Sequence, residues 1–249
     1  MFNLLKSKKV FFWCLFDFGI SSFPTLILTF FYGAYYAKYI ASNPVAGTSS
    51  WGFAISVASI LSFIIFSFIL IQGNKYLKDL NTSFFKFFFY LMAIFSASLS
   101  LFDKGSSEFF PLVVVVISFI CFEIVNLFYN ISLHKVSGKN NQGLVSNFGW
   151  GFGYLGGLIS LVLVFVCINL LEDKNFEIFG TSIFLWIGPF VGIWSIVFGI
   201  KHLSNFKKIK FKAPNLTEFF DNIRASKLPK FLISYFFFNN AVICVFVFA

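Results

Sequence analysis

The sequence predicts an all-α polytopic membrane protein, and three observations carry that reading. Hydrophobic residues fill 58% of the 249 positions and charged residues only 12%, where soluble domains carry about 25% charged residues. Phenylalanine alone occurs 42 times and aromatics reach 22%. A soluble fold of this size has too little interior for so many rings, whereas a lipid-facing surface does not need to hide them. The apolar residues also gather into runs of about 20 residues or more, the length that crosses a bilayer as a helix. No strand periodicity is long enough for a barrel, so helices are the economical way to satisfy the backbone in lipid.

Seven runs qualify, at roughly 10–37, 51–72, 83–102, 109–132, 145–171, 179–203 and 229–249. The first follows Lys6, Lys8 and Lys9 as a secretory signal would. Its length, the internal Asp17 and the spans that follow argue against cleavage. The second and fifth runs follow the turn-rich segments SNPVAGTSS and SGKNNQG. Pro24, Gly188 and Pro189 are expected to bend their helices. Cys14, Cys121, Cys167 and Cys244 all lie in apolar runs and show neither metal-ligand spacing nor a secreted-domain pattern.

The net charge of +9 points to membrane topology rather than nucleic acid, because no groove-reading helix or basic-aromatic platform is visible. With the N-terminus in the cytoplasm, segments 1–9, 73–86, 133–144 and 201–230 carry 3, 3, 2 and 8 basic residues, sixteen of the nineteen. The opposite side keeps Lys38, Lys104 and Lys174 among acids such as Asp103, Glu108 and Glu172. That bias predicts a cytoplasmic N-terminus. The expected organisation is a six-helix bundle over 1–203, a cytoplasmic linker over 204–228 and a seventh helix over 229–249. In the linker, Thr217 can cap a short helix with Glu218 and Asp221 in its first turns.

Charge near the bilayer centre costs at least about 2.5–3.5 kcal/mol on insertion scales, so such residues normally face a cavity or a partner. Asp17 and Glu123 are the carboxylates that lie clearly within spans, and no Lys or Arg lies deep within one to neutralise them. Counted from the nearest span ends, the two fall near one depth, and Asn239 and Asn240 of the seventh run reach a similar level. Glu123, Asn126 and Asn130 share one face of the fourth helix, and Asp17, Ser21 and Thr25 form one stripe on the first. A cavity role is expected for the acids, with a protonated, hydrogen-bonded carboxyl as the alternative. For the asparagines, interhelical glue is an equal alternative. Gly149, Gly153 and Gly157 recur every four residues with Gly156 adjacent, the small-xxx-small spacing of close helix packing. His134 and His202 read as loop or helix-end residues, and no catalytic triad, zinc motif or nucleotide motif appears. No enzyme, cofactor or metal site is therefore expected.

Several segments resemble the major facilitator transporters related to the vacuolar amino-acid effluxer of autophagy and its bacterial relatives. In the first helix Trp13, Phe16, Asp17, Gly19, Ser22 and Phe23 fit that family's opening pattern. Phe128, Tyr129 and Asn130 resemble its helix-four FYN segment, and Ser146, Gly149, Gly153, Tyr154, Gly156 and Gly157 its helix-five signature. FFFNNAVICVF resembles its helix-seven segment, although Asn240 and Ala241 stand where Asp and Gly are usual. The usual gating loop between helices two and three reads QGNKYLKDL here, with only Gly73 retained.

The resemblance implies twelve helices in two halves, so this chain is expected to be a truncated one holding the N-terminal half and helix seven. It implies a transporter of amino acids or similar nutrients in the cytoplasmic membrane. Asp17, Glu123, Asn126, Asn130 and Asn240 would bind a small polar solute or a coupling proton. The missing half, or a partner chain, would complete the path. A half-size, non-transporting membrane subunit is the competing expectation.

Overall fold

The computed structural model describes residues 6–76, 82–138, 140–172 and 182–205, together with scattered positions between 221 and 237. These residues are almost wholly helical, with no strand among them. Six helices are long and apolar enough to cross a membrane. They are α1 (Lys8–Ile40), α2 (Pro44–Tyr76), α3 (Thr82–Ser98), α4 (Phe109–Ser137), α5 (Gln142–Glu172) and α6 (Ile187–Asn205). Single 3-10 turns extend α3 at Leu99–Leu101 and precede α6 at Ile183–Trp186. Large side chains such as Phe53, Phe63, Phe165 and Ile193 stand exposed on these helices. Bilayer lipid solvates such faces, and the protein is an integral membrane protein.

The chain divides into two compact units, Met1–Phe66 with Asp79–Ile209, and Ser67–Lys78 with Lys210–Ala249. In the second unit the described positions include helical residues between 229 and 237. There Ser234 donates to the Lys230 carbonyl at 2.9 Å and Phe231 stacks on Tyr235 at 6.2 Å. Most of the expected linker, with Thr217 and Glu218, and most of the seventh run lie outside the described residues.

Helix ends follow local chemistry. Asn43 Oδ1 accepts from the Ala46 amide at 2.9 Å and Pro44 follows the cap, so α2 starts inside the segment expected to be a turn. Gly138, with φ 68°, ends α4 five residues later than expected, since a left-handed residue stops a helix without a Cβ penalty. Pro189 falls in the first turn of α6, where its missing N–H has no helical partner to lose, so the expected bend is not needed. Pro24 does coincide with a change in α1. The helix widens into π-helical turns over Phe23–Phe30 and again over Tyr36–Ile40. Phe31 accordingly bonds Leu26 at 3.1 Å and Ala41 bonds Tyr36 at 2.9 Å, each five residues back.

In the first unit α1 packs mainly on α5 and α6, and α3 on α4 and α6. Small residues allow these approaches. A Cβ at Gly188 would run into the Ser96 carbonyl of α3, and one at Gly192 would stand 2.8 Å from the Ala93 carbonyl. Ser195 of α6 donates to the Gly19 carbonyl of α1 at 3.3 Å, and Ser96 pairs with Ser118 of α4 at 2.9 Å. Between the helices Phe16, Phe85, Phe89 and Phe128 form a buried aromatic core.

Candidate functional site

Asp17, Ser21 and Thr25 form one half-buried stripe on α1, four residues apart. The stripe faces the glycines of α5. A Cβ at Gly153 would stand 2.8 Å from Asp17 Oδ2 and 2.9 Å from Ser21 Oγ. One at Gly157 would stand 2.7 Å from Thr25 Oγ1, and one at Gly156 would run into the Phe18 carbonyl. At Gly149 it would come within 2.5 Å of both Tyr129 Oη and the Trp13 ring. The ridge of Gly149, Gly153, Gly156 and Gly157 therefore lets α5 lie against α1. It also forms a floor, bare of side chains, beneath the polar stripe.

Helix α4 closes the site from another side. Trp13 Nε1 donates to Ser132 Oγ at 2.9 Å and to the Tyr129 carbonyl at 3.2 Å. Its ring stacks on Tyr129 at 4.1 Å with the planes 12° apart, and Phe16 flanks the same phenol at 5.7 Å. These contacts fix the phenol with its hydroxyl towards the Asp17 carboxylate, which Ser21 also meets. Tyr129 is only 3% exposed, yet its hydroxyl closes no short hydrogen bond. The Asp17 carboxylate is thus the polar group nearest this buried hydroxyl in its electrostatic surroundings.

Glu123 and Asn126 are half-buried and Asn130 is exposed, so the expected face of α4 is the more open one. Asn130 Nδ2 donates to the Asn126 carbonyl at 3.0 Å and to Asn126 Oδ1 at 3.2 Å. Trp13 stacks on Tyr129 and Phe23 stacks on Phe122 at 5.2 Å, so α1 and α4 run antiparallel and Asp17 and Glu123 both lie between these two contacts. Helix α4 continues past residue 132 to Ser137. Asn239 and Asn240 lie outside the described residues.

His202 is a further difference. It lies in the last turn of α6, but it is only 5% exposed. Its ring sits 5.1 Å from Phe16, 6.2 Å from Phe85 and 6.5 Å from Tyr129. The spacing Ser195, Gly199, His202 could have found it, since all three share the buried face of α6. Tyr129 and Trp13 were legible only through the family resemblance, because an aromatic in an apolar run carries no signal of its own. His134, by contrast, is exposed and contacts Gln142 at 2.6 Å. Cys14 and Cys121 are buried and Cys167 exposed, all free. No group of three His, Cys, Asp or Glu among the described residues could hold a metal ion.

No family model matches the chain and no solved structure matches it. A curated protein does. The chain is similar to an MFS-type transporter. The relative is the uncharacterized MFS-type transporter YxiO of Bacillus subtilis (strain 168), 25% identical over 245 residues. The match covers 92% of this chain and 56% of the relative, so the chain spans little more than half the relative's length.

Proposed function

We propose that the protein is a secondary transporter that moves a small polar solute, an amino acid or similar nutrient, across the cytoplasmic membrane by alternating access. The observation that carries the reading is Asp17, a half-buried carboxylate inside a membrane span, on a polar stripe beside the buried Tyr129 phenol. An intramembrane carboxylate is costly to insert and normally marks a solute or proton path. Glu123, Asn126 and Asn130 extend that path along α4. A proton serves as the coupling ion, taken up and released by the same acids.

Alternating access requires a second bundle facing the polar stripes of α1 and α4, supplied by further helices or by a partner chain. The likeness to YxiO favours this over a non-transporting subunit. The open face of α5, where Trp150 is 55% and Tyr154 68% exposed, is what a non-transporting partner subunit would also present. Uptake of radiolabelled leucine, lysine and glutamate into proteoliposomes under an imposed proton gradient decides between the two. Accumulation of one of them supports the transporter. No uptake of any, with the protein folded, supports the subunit.

The proposed orientation keeps sixteen of the nineteen basic residues on the cytoplasmic side. Ser204→Cys in a cysteine-free background should therefore resist an impermeant thiol reagent in intact cells. Efficient labelling there would overturn this orientation.

A further inference from the structure

Three oxygens meet at the glycine floor: the Asp17 carboxylate, Ser21 Oγ and Tyr129 Oη. They come from α1 and α4, and Gly149 and Gly153 offer no side chain that competes for them. We infer that this tripod binds a primary ammonium group of the transported solute. The inference rests on the transporter reading and names the chemistry that its site admits.

The argument is one of matching numbers and signs. A primary ammonium carries three N–H donors, no acceptor and one positive charge. The site offers one negative charge and two hydroxyl oxygens that can accept. Tyr129 is the informative member. Its hydroxyl is buried and held in place by the Trp13 stack at 4.1 Å and by the Trp13–Ser132 hydrogen bond at 2.9 Å. With the O–H directed at the Asp17 carboxylate, the phenol oxygen keeps its lone pairs open to accept from a donor.

The charged neighbours agree with a cationic occupant. The basic residues of α1, α4, α5 and α6 stand at or beyond their ends: Lys8, Lys9 and Lys38, Lys135, and Lys201. His202 lies behind the Phe16 and Tyr129 rings rather than among the three oxygens. Glu123, half-buried on α4, is a second acid of these spans and adds a favourable field. A quaternary ammonium has the charge but no donor. A sodium ion has the charge but not the three directed bonds. Both therefore serve as controls.

Thermal unfolding of the purified protein in detergent, at pH 7 and constant ionic strength, tests this with four probes: butylamine hydrochloride, leucine, tetramethylammonium chloride and sodium chloride. Butylamine should raise the unfolding temperature saturably, as a ligand of the folded state must. Tetramethylammonium and sodium should not. Leucine acting beside butylamine assigns the ammonium to an amino acid, and butylamine acting alone assigns it to an amine without a carboxylate. Asp17→Asn should raise the half-saturating concentration of butylamine about tenfold or more, and Tyr129→Phe severalfold, since each removes a bond to a charged group. Both conserve side-chain volume, and each variant's probe-free unfolding temperature reports its folding separately. Equal stabilisation by tetramethylammonium or sodium would overturn the inference. So would no stabilisation by butylamine, or unchanged half-saturation in both variants. Uptake that persists under any of those results leaves the transporter reading standing without the ammonium site. Ammonium binding without uptake removes the transporter reading instead.

Discussion

The two halves of α1 use polar groups in opposite ways. Towards its C-terminus the tyrosine hydroxyls are matched to acceptors. Tyr32 donates to the Leu99 carbonyl at 3.0 Å, Tyr35 to Asp103 Oδ1 at 2.7 Å and Tyr36 to the Glu108 carbonyl at 3.1 Å. The Tyr39 ring lies near Lys38 and Lys104, whose ammonium nitrogens are 5.0 and 4.7 Å from its centre. This half is fastened to the connection between α3 and α4. Towards the N-terminus the pattern reverses. Asp17 is half-buried within the span, and the phenol that faces it, Tyr129, closes no short hydrogen bond. Satisfied polar groups in a membrane bundle hold helices together. A carboxylate within a span is costly to insert and normally marks a solute or proton path.

The largest expected effect breaks the N-terminal half. Asp17→Asn conserves volume and removes the intramembrane charge, so folding should persist. Uptake per folded molecule should fall at least about tenfold, since a lost bond to a charged group is worth roughly that factor. Its dependence on pH should flatten, because the titrating group is gone. Uptake unchanged in rate and in pH profile would remove Asp17 from the path.

A smaller effect tests the floor. Gly156→Ala places a methyl group against the Phe18 backbone and should destabilise by about 1–3 kcal/mol, read as a lower unfolding temperature. Gly151→Ala meets nothing within 4 Å and should be neutral or slightly stabilising, as alanine is the better helix former. Equal losses in both would mean that close approach of α5 to α1 is not what the glycines provide.

The smallest effect lies at the other end. Lys104→Ala removes one of the two cations near Tyr39, an exposed contact worth about 0.5–1 kcal/mol. Its unfolding temperature should drop slightly and its uptake should not change. A loss of uptake would give the C-terminal half of α1 a part in transport.

The division between the two halves was only partly legible in the sequence. Span number and order through α6 followed from run length alone, because lipid forces every backbone group into a helix and the apolar runs have no other use. The stripe of Asp17, Ser21 and Thr25 was visible because helical spacing puts such residues on one face. Helix ends were less visible, since they depend on local backbone chemistry: Gly138 stops α4 after Ser137, past residue 132. The tyrosines were the least legible. Tyr35 and Tyr129 look alike in sequence, and only the neighbouring helices decide whether a hydroxyl finds an acceptor. His202 was lost in the same way, because a histidine at the basic end of a span reads as solvated until the packing of α6 against α1 and α3 is known.

The pair Tyr129→Phe and Tyr35→Phe tests the central claim most directly, with unfolding temperature and uptake per folded molecule measured on both. Tyr129→Phe removes no closed hydrogen bond and should change stability by less than about 1 kcal/mol, while uptake falls severalfold. Tyr35→Phe breaks the 2.7 Å bond to Asp103 and should lower the unfolding temperature, by up to about 1.5–3 kcal/mol in stability, with uptake retained. The reverse pattern, a stability loss at Tyr129 with normal uptake and an uptake loss at Tyr35 with normal stability, would contradict the account.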